Sequence, residues 1–195
     1  VMIMLSNVTR EDRYTREQGW ITPGNLFYQD TYDKAFLNKF FCEKGYLMRD
    51  LSLTMGMDAI LETTKSDYHF MSIVPLNSLS SDQTKMQDVN DVLELYNPIL
   101  DKIKPSVLDV IFNGDWNNRT KRPKYMTHWS KGLYTDNHPT PDEHIEYLLA
   151  TFPNINLSDR TISLAKEYTI ELLNCETYNQ IVDIFKDKLS IQDKR

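Results

Sequence analysis

The sequence predicts an α/β fold of three layers, in which helices cover both faces of a parallel sheet. Three short apolar runs predict the strands, at residues 1–5, 68–75 and 107–112. Segments with helical spacing separate these runs, and strands that alternate with helices favour parallel pairing. A sheet usually has about five strands. We therefore expect this sheet to lack strands on its N-terminal side.

The elements of the first half follow from hydrophobic periodicity. Residues 1–5 are continuously apolar, which predicts a strand buried on both faces. Residues 6–30 are polar and aromatic with a turn signal at Pro23-Gly24-Asn25, which predicts a loop. Helical spacing predicts helices at 32–41 and 45–64, the second with one apolar face formed by Leu47, Leu51, Met55, Ala59 and Ile60.

The second half is predicted in the same way. The run at 68–75 is a strand closed by proline, and 80–104 carries a helix whose end is broken by Pro98. Residues 113–136 read as a long aromatic loop, a kind of segment that is usually functional or mobile. Helices are then predicted at 144–151, after an N-cap at Ser158, and at 176–189.

Length and composition limit the possible classes. The 195 residues suit one α/β domain at 1–151 with a helical extension at 152–195. A net charge of −6 argues against a nucleic-acid partner, and the absence of a long apolar run argues against a membrane. Two distant cysteines predict buried free thiols. Because no signal peptide is visible, we expect a cytoplasmic protein. The chain begins inside an apolar run without methionine, so we expect an upstream segment.

The strongest candidate for chemistry is Asp136 with His138, directly before a predicted helix start at Pro141. A carboxylate that orients an imidazole is the core of a general-base device. The alternative is an aspartate that caps a turn beside a packed histidine. A zinc site of His138, Asp136, His128 and His144 is a further alternative, although no compact motif fixes their spacing and His144 favours a structural role.

The predicted sheet places further candidates near this pair. Functional groups gather beyond the carboxyl ends of parallel strands. Ser6 and Asn7 follow the first predicted strand, and Asp136 and His138 follow the third, so all four are expected at one edge. Ser6 is a candidate nucleophile because it follows an apolar strand, although a hydroxyl that satisfies a backbone group is the alternative.

The pattern Asp136-x-His138-Pro139, with His144 and an amphipathic helix after it, resembles the C-terminal signature of SGNH (GDSL-type) esterases. The resemblance implies that His138 and Asp136 complete a serine triad. It also implies that Asn7 is an oxyanion donor, for which a turn-forming asparagine is the alternative, and that Ser6 replaces a family glycine. The family's Gly-Asp-Ser nucleophile block is absent here, so the resemblance implies either a nucleophile upstream of residue 1 or a non-hydrolytic fold. No cofactor is implied.

Candidate substrate contacts come from the predicted loops. Arg10 and Arg13 can receive an anionic group, although a solvated loop with weak local ion pairs is the alternative. Trp116 and Trp129 can form platforms for sugar rings, or they can cover the core. We therefore expect an esterase or acyltransferase that acts on an acylated glycan or another hydroxylated substrate. The alternatives are another glycan-modifying transferase and a non-catalytic module that binds carbohydrate or protein.

Overall fold

A computed structural model describes most of the chain. The described residues are 1–6, 10–17, 19–25, 32–76, 89–115, 118, 126–129, 132–135, 139–177, 179, 180, 182–184 and 186. By their contacts they form two compact units, Val1–Ser106 and Val107–Arg195. The boundary predicted from the sequence, after Thr151, falls inside the second unit.

The first unit contains four strands and four helices among its described residues. In chain order they are β1 (Met2–Leu5), β2 (Arg10–Thr15), β3 (Gly19–Asn25), α1 (Lys34–Phe40), α2 (Glu43–Thr63), β4 (His69–Ser72), α3 (Asn90–Leu95) and α4 (Asn97–Leu100). The helices predicted at 32–41 and 45–64 are confirmed as α1 and α2. Of the helix predicted at 80–104, residues 80–88 lie outside the described residues. The described remainder contains two short helices, α3 and α4; α3 ends at Leu95, and Pro98 lies in the first turn of α4.

The second unit is mainly helical where it is described. Its elements are α5 (Val107–Phe112), β5 (Met126–Trp129), β6 (Gly132–Thr135), α6 (Pro141–Thr151) and α7 (Asp159–Asn174). The helix predicted at 144–151 is confirmed as α6, and the described residues between 179 and 186 are helical, within the predicted last helix. Ser158 caps α7 as predicted, because its side chain accepts a hydrogen bond from the Thr161 N–H at 3.1 Å.

β1 and β4 form a parallel pair, which confirms two of the three predicted strands. Ile3 lies opposite Phe70, and the His69 N–H donates to the Val1 carbonyl at 2.9 Å. The other edge of β4 is also paired, since the Lys104 N–H donates to the Phe70 carbonyl at 2.9 Å and Ile103 forms a parallel bridge. The second edge of β4 is therefore occupied by Ile103 and Lys104, which lie just before the third strand predicted at 107–112.

The third predicted strand, at 107–112, is wrong because this run forms helix α5. Val107, Leu108 and Phe112 are buried while Asp109 is exposed, a pattern that one helical face produces. A short apolar run does not distinguish a strand from a buried helix by periodicity alone. The described residues form a mixed α/β structure with a two-stranded parallel sheet, and the three-layer fold built on three parallel strands is not confirmed among them. Asn7 and His138 are therefore no longer expected at one sheet edge.

Two predicted loops contain strands. The stretch 6–30 holds the antiparallel pair β2–β3, in which Arg10 lies opposite Asn25 and Thr15 lies opposite Gly19. The stretch 113–136 holds the antiparallel pair β5–β6. Neither pair shows strong alternation in sequence, and cross-strand pairing is a contact between segments that no single segment reveals. The predicted turn at Pro23-Gly24-Asn25 is the end of β3.

The core of the first unit lies between α2, β4 and the α3–α4 segment. Leu47 and Leu51 of α2 pack with Phe70 of β4 in one cluster of buried residues. Its other members are Leu76, Val89, Val92, Tyr96 and Ile99. Ile3 and Leu5 pack against this cluster, whereas Met2 and Met4 are exposed. β1 is therefore buried on one face, and the prediction of burial on both faces is wrong.

The apolar face predicted for α2 is correct only in its first half. Leu47 and Leu51 are buried, but Ala59 is exposed, and Met55 and Ile60 are 44% and 66% exposed.

The cysteine prediction is also half correct. Both thiols are free, and Cys175 is buried, but Cys42 is exposed at the start of α2. No helix in the described part of the chain is long and apolar enough to cross a bilayer.

Candidate functional site

The predicted catalytic pair lies directly before helix α6. Asp136 and His138 are outside the described residues, as are Asn7 and Trp116. Pro139 is buried, and Thr140, the N-cap of α6, is only 4% exposed. The helix start expected at Pro141 is confirmed. The sequence positions of Asp136 and His138 therefore lead into a buried, capped helix start.

Local sequence explains why α6 begins where it does. Pro141 occupies the first turn, where the missing N–H of proline costs no hydrogen bond. The Glu143 carboxylate accepts a hydrogen bond from the Thr140 backbone N–H at 2.7 Å, which is one half of a capping box. Asp142 and Glu143 also place negative charge at the positive end of the helix dipole.

Asp142 joins α6 to α7 through Thr169. Its Oδ1 atom accepts hydrogen bonds from the Thr140 hydroxyl at 2.5 Å, the Glu143 N–H at 2.9 Å and the Thr169 hydroxyl at 2.8 Å. The Thr169 hydroxyl in turn accepts a hydrogen bond from the Asp142 N–H at 3.0 Å. We call Thr140, Asp142, Glu143 and Thr169 the α6 anchor. Sequence reasoning missed this cluster, since Thr169 lies 27 positions after Asp142.

The zinc alternative is not supported by the described residues. His144 is half-buried in the first turn of α6, where its N–H donates to the Thr140 carbonyl at 3.0 Å. Across the part of the chain that the structure describes, no three His, Cys, Asp or Glu side chains are grouped to hold a metal ion. His138 and Asp136 lie outside that part, and His128 is described only as a position on β5.

Ser6 lies at the carboxyl end of β1, as predicted. Its side chain is exposed, and the adjacent Leu5 carbonyl accepts a hydrogen bond from Ile73 at 3.3 Å. Ser6 therefore follows a strand that is paired in parallel, which is the position expected of a functional group on such a sheet. It belongs to the first unit, whereas positions 136–138 fall in the range of the second.

Three of the four predicted substrate contacts, all except Trp116, lie on paired strands instead of loops. Arg10 and Arg13 belong to β2, where Arg10 lies opposite Asn25 and Arg13 lies opposite Ile21. Trp129 is the last residue of β5, and it lies opposite Gly132. These three positions are thus held by strand pairing, while their roles in binding a substrate stay predictions.

A polar network in the first unit was not predicted from the sequence. The Asp58 carboxylate accepts hydrogen bonds from the Tyr68 hydroxyl at 2.6 Å and from the Lys102 ammonium at 2.5 Å. Lys102 also donates to Glu62 at 2.8 Å. We call these four residues the Asp58 network. It connects α2 to the start of β4 and to the segment after α4, and it therefore holds the elements of the first core together.

The contacts of this network shift the ionisation of its members. Partial burial alone would raise the pKa of Asp58, but the hydrogen bonds from Lys102 and Tyr68 outweigh burial and lower it. The same bond to Asp58, together with burial, raises the pKa of Tyr68. Hydrogen bonds to Asp58 and Glu62 raise the pKa of Lys102. Each shift favours the state in which Asp58 is charged and its two donors keep their protons.

Cys175 does not offer a second nucleophile. Burial, with a smaller contribution from the Glu171 charge, raises the pKa of its thiol. The thiol sulfur lies 3.4 Å from the Glu171 carbonyl, to which it donates. A thiol held in its protonated form is a poor nucleophile. We therefore regard Cys175 as a structural residue at the end of α7.

Comparisons of the chain with protein-family models, curated proteins and solved structures gave no match. A functional hypothesis therefore depends on the residues and the geometry given above.

Proposed function

We propose that this protein is an SGNH-like acyl-ester hydrolase or acyltransferase that acts on an acylated glycan or another hydroxylated substrate. The observation that carries the proposal is the position of Asp136 and His138 immediately before the anchored start of α6. Catalytic side chains commonly occupy loops that a rigid scaffold holds in place. The buried Pro139, the cap at Thr140 and the α6 anchor form such a scaffold directly after His138.

The proposed chemistry is general-base catalysis of acyl transfer. His138 removes the proton from a nucleophilic hydroxyl, whose oxygen attacks the acyl carbonyl carbon of the substrate. Asp136 orients the imidazole and stabilises the imidazolium that forms. The proton then passes to the departing alcohol, and water or a second hydroxyl releases the acyl group.

Matched histidine substitutions test the proposal. Rates are measured for His138→Gln and His144→Gln on acetylated nitrophenol and on acetylated glycans. The two changes are chemically identical and lie six residues apart in sequence. Loss of the general base should lower kcat by about 100-fold or more, whereas the change in α6 should leave kcat within about threefold. Equal rates for the two variants would refute the role of His138.

The nucleophile is tested separately, with Ser6→Ala and a fluorophosphonate that labels activated serines. Modification of the peptide that contains Ser6, together with loss of turnover in Ser6→Ala, would identify Ser6 as the nucleophile. Full activity of Ser6→Ala would exclude Ser6. In that case the labelled peptide identifies the serine that His138 activates.

A further inference from the structure

We propose that the exposed face of helix α2 is a dimer interface, on which a second copy of this chain packs antiparallel to the first. The large apolar side chains of this face are Met48, Leu53, Met55 and Ile60, which are 40%, 62%, 44% and 66% exposed. Single exposed apolar residues are ordinary on a protein surface, but a contiguous group of them marks a site of interaction.

Helix α2 is apolar on two opposite sides. On one side, Leu47 and Leu51 are buried in the core of the first unit. On the other side, Met48, Ser52 and Met55 follow one another at intervals of three or four residues, a spacing that keeps them on one exposed face. A surface helix normally carries charged residues opposite its buried side, whereas a helix that is apolar all round is buried. We therefore expect α2 to have a second packing partner.

The charges of α2 favour a second copy of the chain as that partner. The exposed residues between Arg49 and Glu62 are all uncharged, namely Ser52, Leu53, Met55, Gly56, Ala59 and Ile60. The cores of protein interfaces are likewise poor in charge and rich in methionine. Because this face is neutral, two chains that each carry a net charge of −6 can meet there without opposing like charges.

The two ends of the face favour an antiparallel pair. In that arrangement the Arg49 end of one helix meets the Glu62 end of the other, so opposite charges come to the same level at both ends. A parallel pair would instead match like charges. An antiparallel pair centred on Gly56 also sets Leu53 of one copy beside Ile60 of the other, and the same contact repeats across the two-fold axis.

The size of the face determines how tightly the two copies bind. Helix α2 has 21 residues. Such a helix is about 30 Å long and about 10 Å wide, so the footprint of one copy is on the order of 300 Å². A standard interface buries about 800 Å² on each partner. We therefore expect a weak dimer, with a dissociation constant between about 1 μM and about 1 mM.

Sedimentation equilibrium of the full chain, at concentrations up to about 1 mM, measures this dimer and the effect of two matched variants. Ile60→Lys and Ile170→Lys are the same change at two isoleucines that are 66% and 61% exposed, the second of them on α7. A charge placed in the apolar face of α2 should raise the dissociation constant by about tenfold or more, whereas Ile170→Lys should change it by less than about twofold. If Ile60→Lys does not fold, as judged by circular dichroism, Leu53→Lys takes its place.

Cross-linking tests the orientation of the two helices. Gly56→Cys and Gly45→Cys are each made together with Cys42→Ser, and both glycines are exposed on α2. A side chain at Gly56 meets nothing within 4 Å, and at Gly45 the nearest atoms are those of Cys42, at 3.6 Å. A short bifunctional maleimide should join two copies of the Gly56→Cys variant. It should not join two copies of the Gly45→Cys variant, because these positions lie about 30 Å apart in the antiparallel pair.

Three results would overturn the proposal. The first is a chain that stays monomeric up to about 1 mM. The second is a dimer that Ile170→Lys weakens as much as Ile60→Lys does, since the interface would then not be specific to α2. The third is cross-linking of Gly45→Cys as efficient as that of Gly56→Cys, which would show that the helices pack parallel.

Discussion

Replacing Tyr68 with phenylalanine removes one hydroxyl from the Asp58 network and leaves the ring in place. That hydroxyl donates to Asp58 Oδ1 at 2.6 Å, while Lys102 donates to Oδ2 at 2.5 Å. The two donors differ in their surroundings. The Asp58 side chain is 13% exposed and that of Lys102 is 43% exposed, whereas Tyr68 is half-buried beside Phe70. The Tyr68 hydroxyl therefore lies in less exposed surroundings than the Lys102 ammonium.

The size of each contribution follows from this difference. Hydrogen bonds to charged groups are among the stronger ones in proteins, so we expect Tyr68→Phe to lower the urea midpoint of the first unit. Exposed ion pairs contribute little, because solvent screens their charges, so we expect a weaker coupling between Lys102 and Asp58. The tyrosine should couple to Asp58 more strongly than the lysine does, even though the lysine is charged and closer.

Double-mutant cycles measure both couplings. Urea unfolding is followed by circular dichroism for Asp58→Ala, Tyr68→Phe, Lys102→Met and the two double variants. If the two units unfold separately, only the transition of the first unit should shift. High salt should weaken the Lys102 coupling and spare most of the Tyr68 coupling, because salt screens exposed charges more than buried contacts. The exposed pair Lys44 and Asp91, 2.8 Å apart, is the control and should show the weakest coupling of the three.

Two results would refute this reasoning. A coupling of Lys102 to Asp58 that exceeds the coupling of Tyr68 would show that charge outweighs burial in this network. A Tyr68→Phe protein as stable as the unsubstituted one would show that the hydroxyl exchanges water for Asp58 with no net gain.

Three further predictions concern stability. Because its pKa is lowered on folding, Asp58 should stabilise the first unit fully above about pH 4, the usual pKa of an unfolded aspartate, and lose this effect as pH falls through its lower folded pKa. The difference in urea midpoint between Asp58→Ala and the unsubstituted protein should shrink accordingly in acid. Leu51 is 0% exposed, so Leu51→Ala should lower the free energy of unfolding in urea by about 2–5 kcal/mol. Leu53 is 62% exposed, so Leu53→Ala should lower it by less than about 0.5 kcal/mol. Equal losses in the two variants would contradict this packing of α2. Ser158→Ala should remove about 1 kcal/mol by uncapping α7, and unchanged thermal unfolding would show that this cap adds nothing.

Part of the candidate site could be predicted from residues that are near one another in sequence. Asp136, His138 and the helix start at Pro141 lie within six positions, and the capping contact between Thr140 and Glu143 spans three. A threonine followed three positions later by a glutamate is a recognised signal for the start of a helix. This pattern could also have identified Thr140 as the N-cap of α6. Thr169 could not be found in this way, because its bond to Asp142 crosses from one helix to another.

The elements that could be predicted correctly are those with local signals in the sequence. The 3.6-residue period of α1, α2, α6 and α7, the cap at Ser158 and the two apolar runs of β1 and β4 are each properties of a short segment. Such signals survive without knowledge of the rest of the chain, because backbone hydrogen bonds within a helix and at its cap join residues that are close in sequence.

Tertiary structure decided what depends on distant partners. Residues 107–112 are apolar enough for a strand or a buried helix, and they form a helix whose Val107, Leu108 and Phe112 are buried in the second unit. The hairpins β2–β3 and β5–β6 exist through pairing between segments, and the exposure of Met55 and Ile60 depends on where the neighbours of α2 end. The physical reason is the same in each case. Burial and cross-strand hydrogen bonds are contacts with residues elsewhere in the chain, so a segment's own periodicity does not specify them.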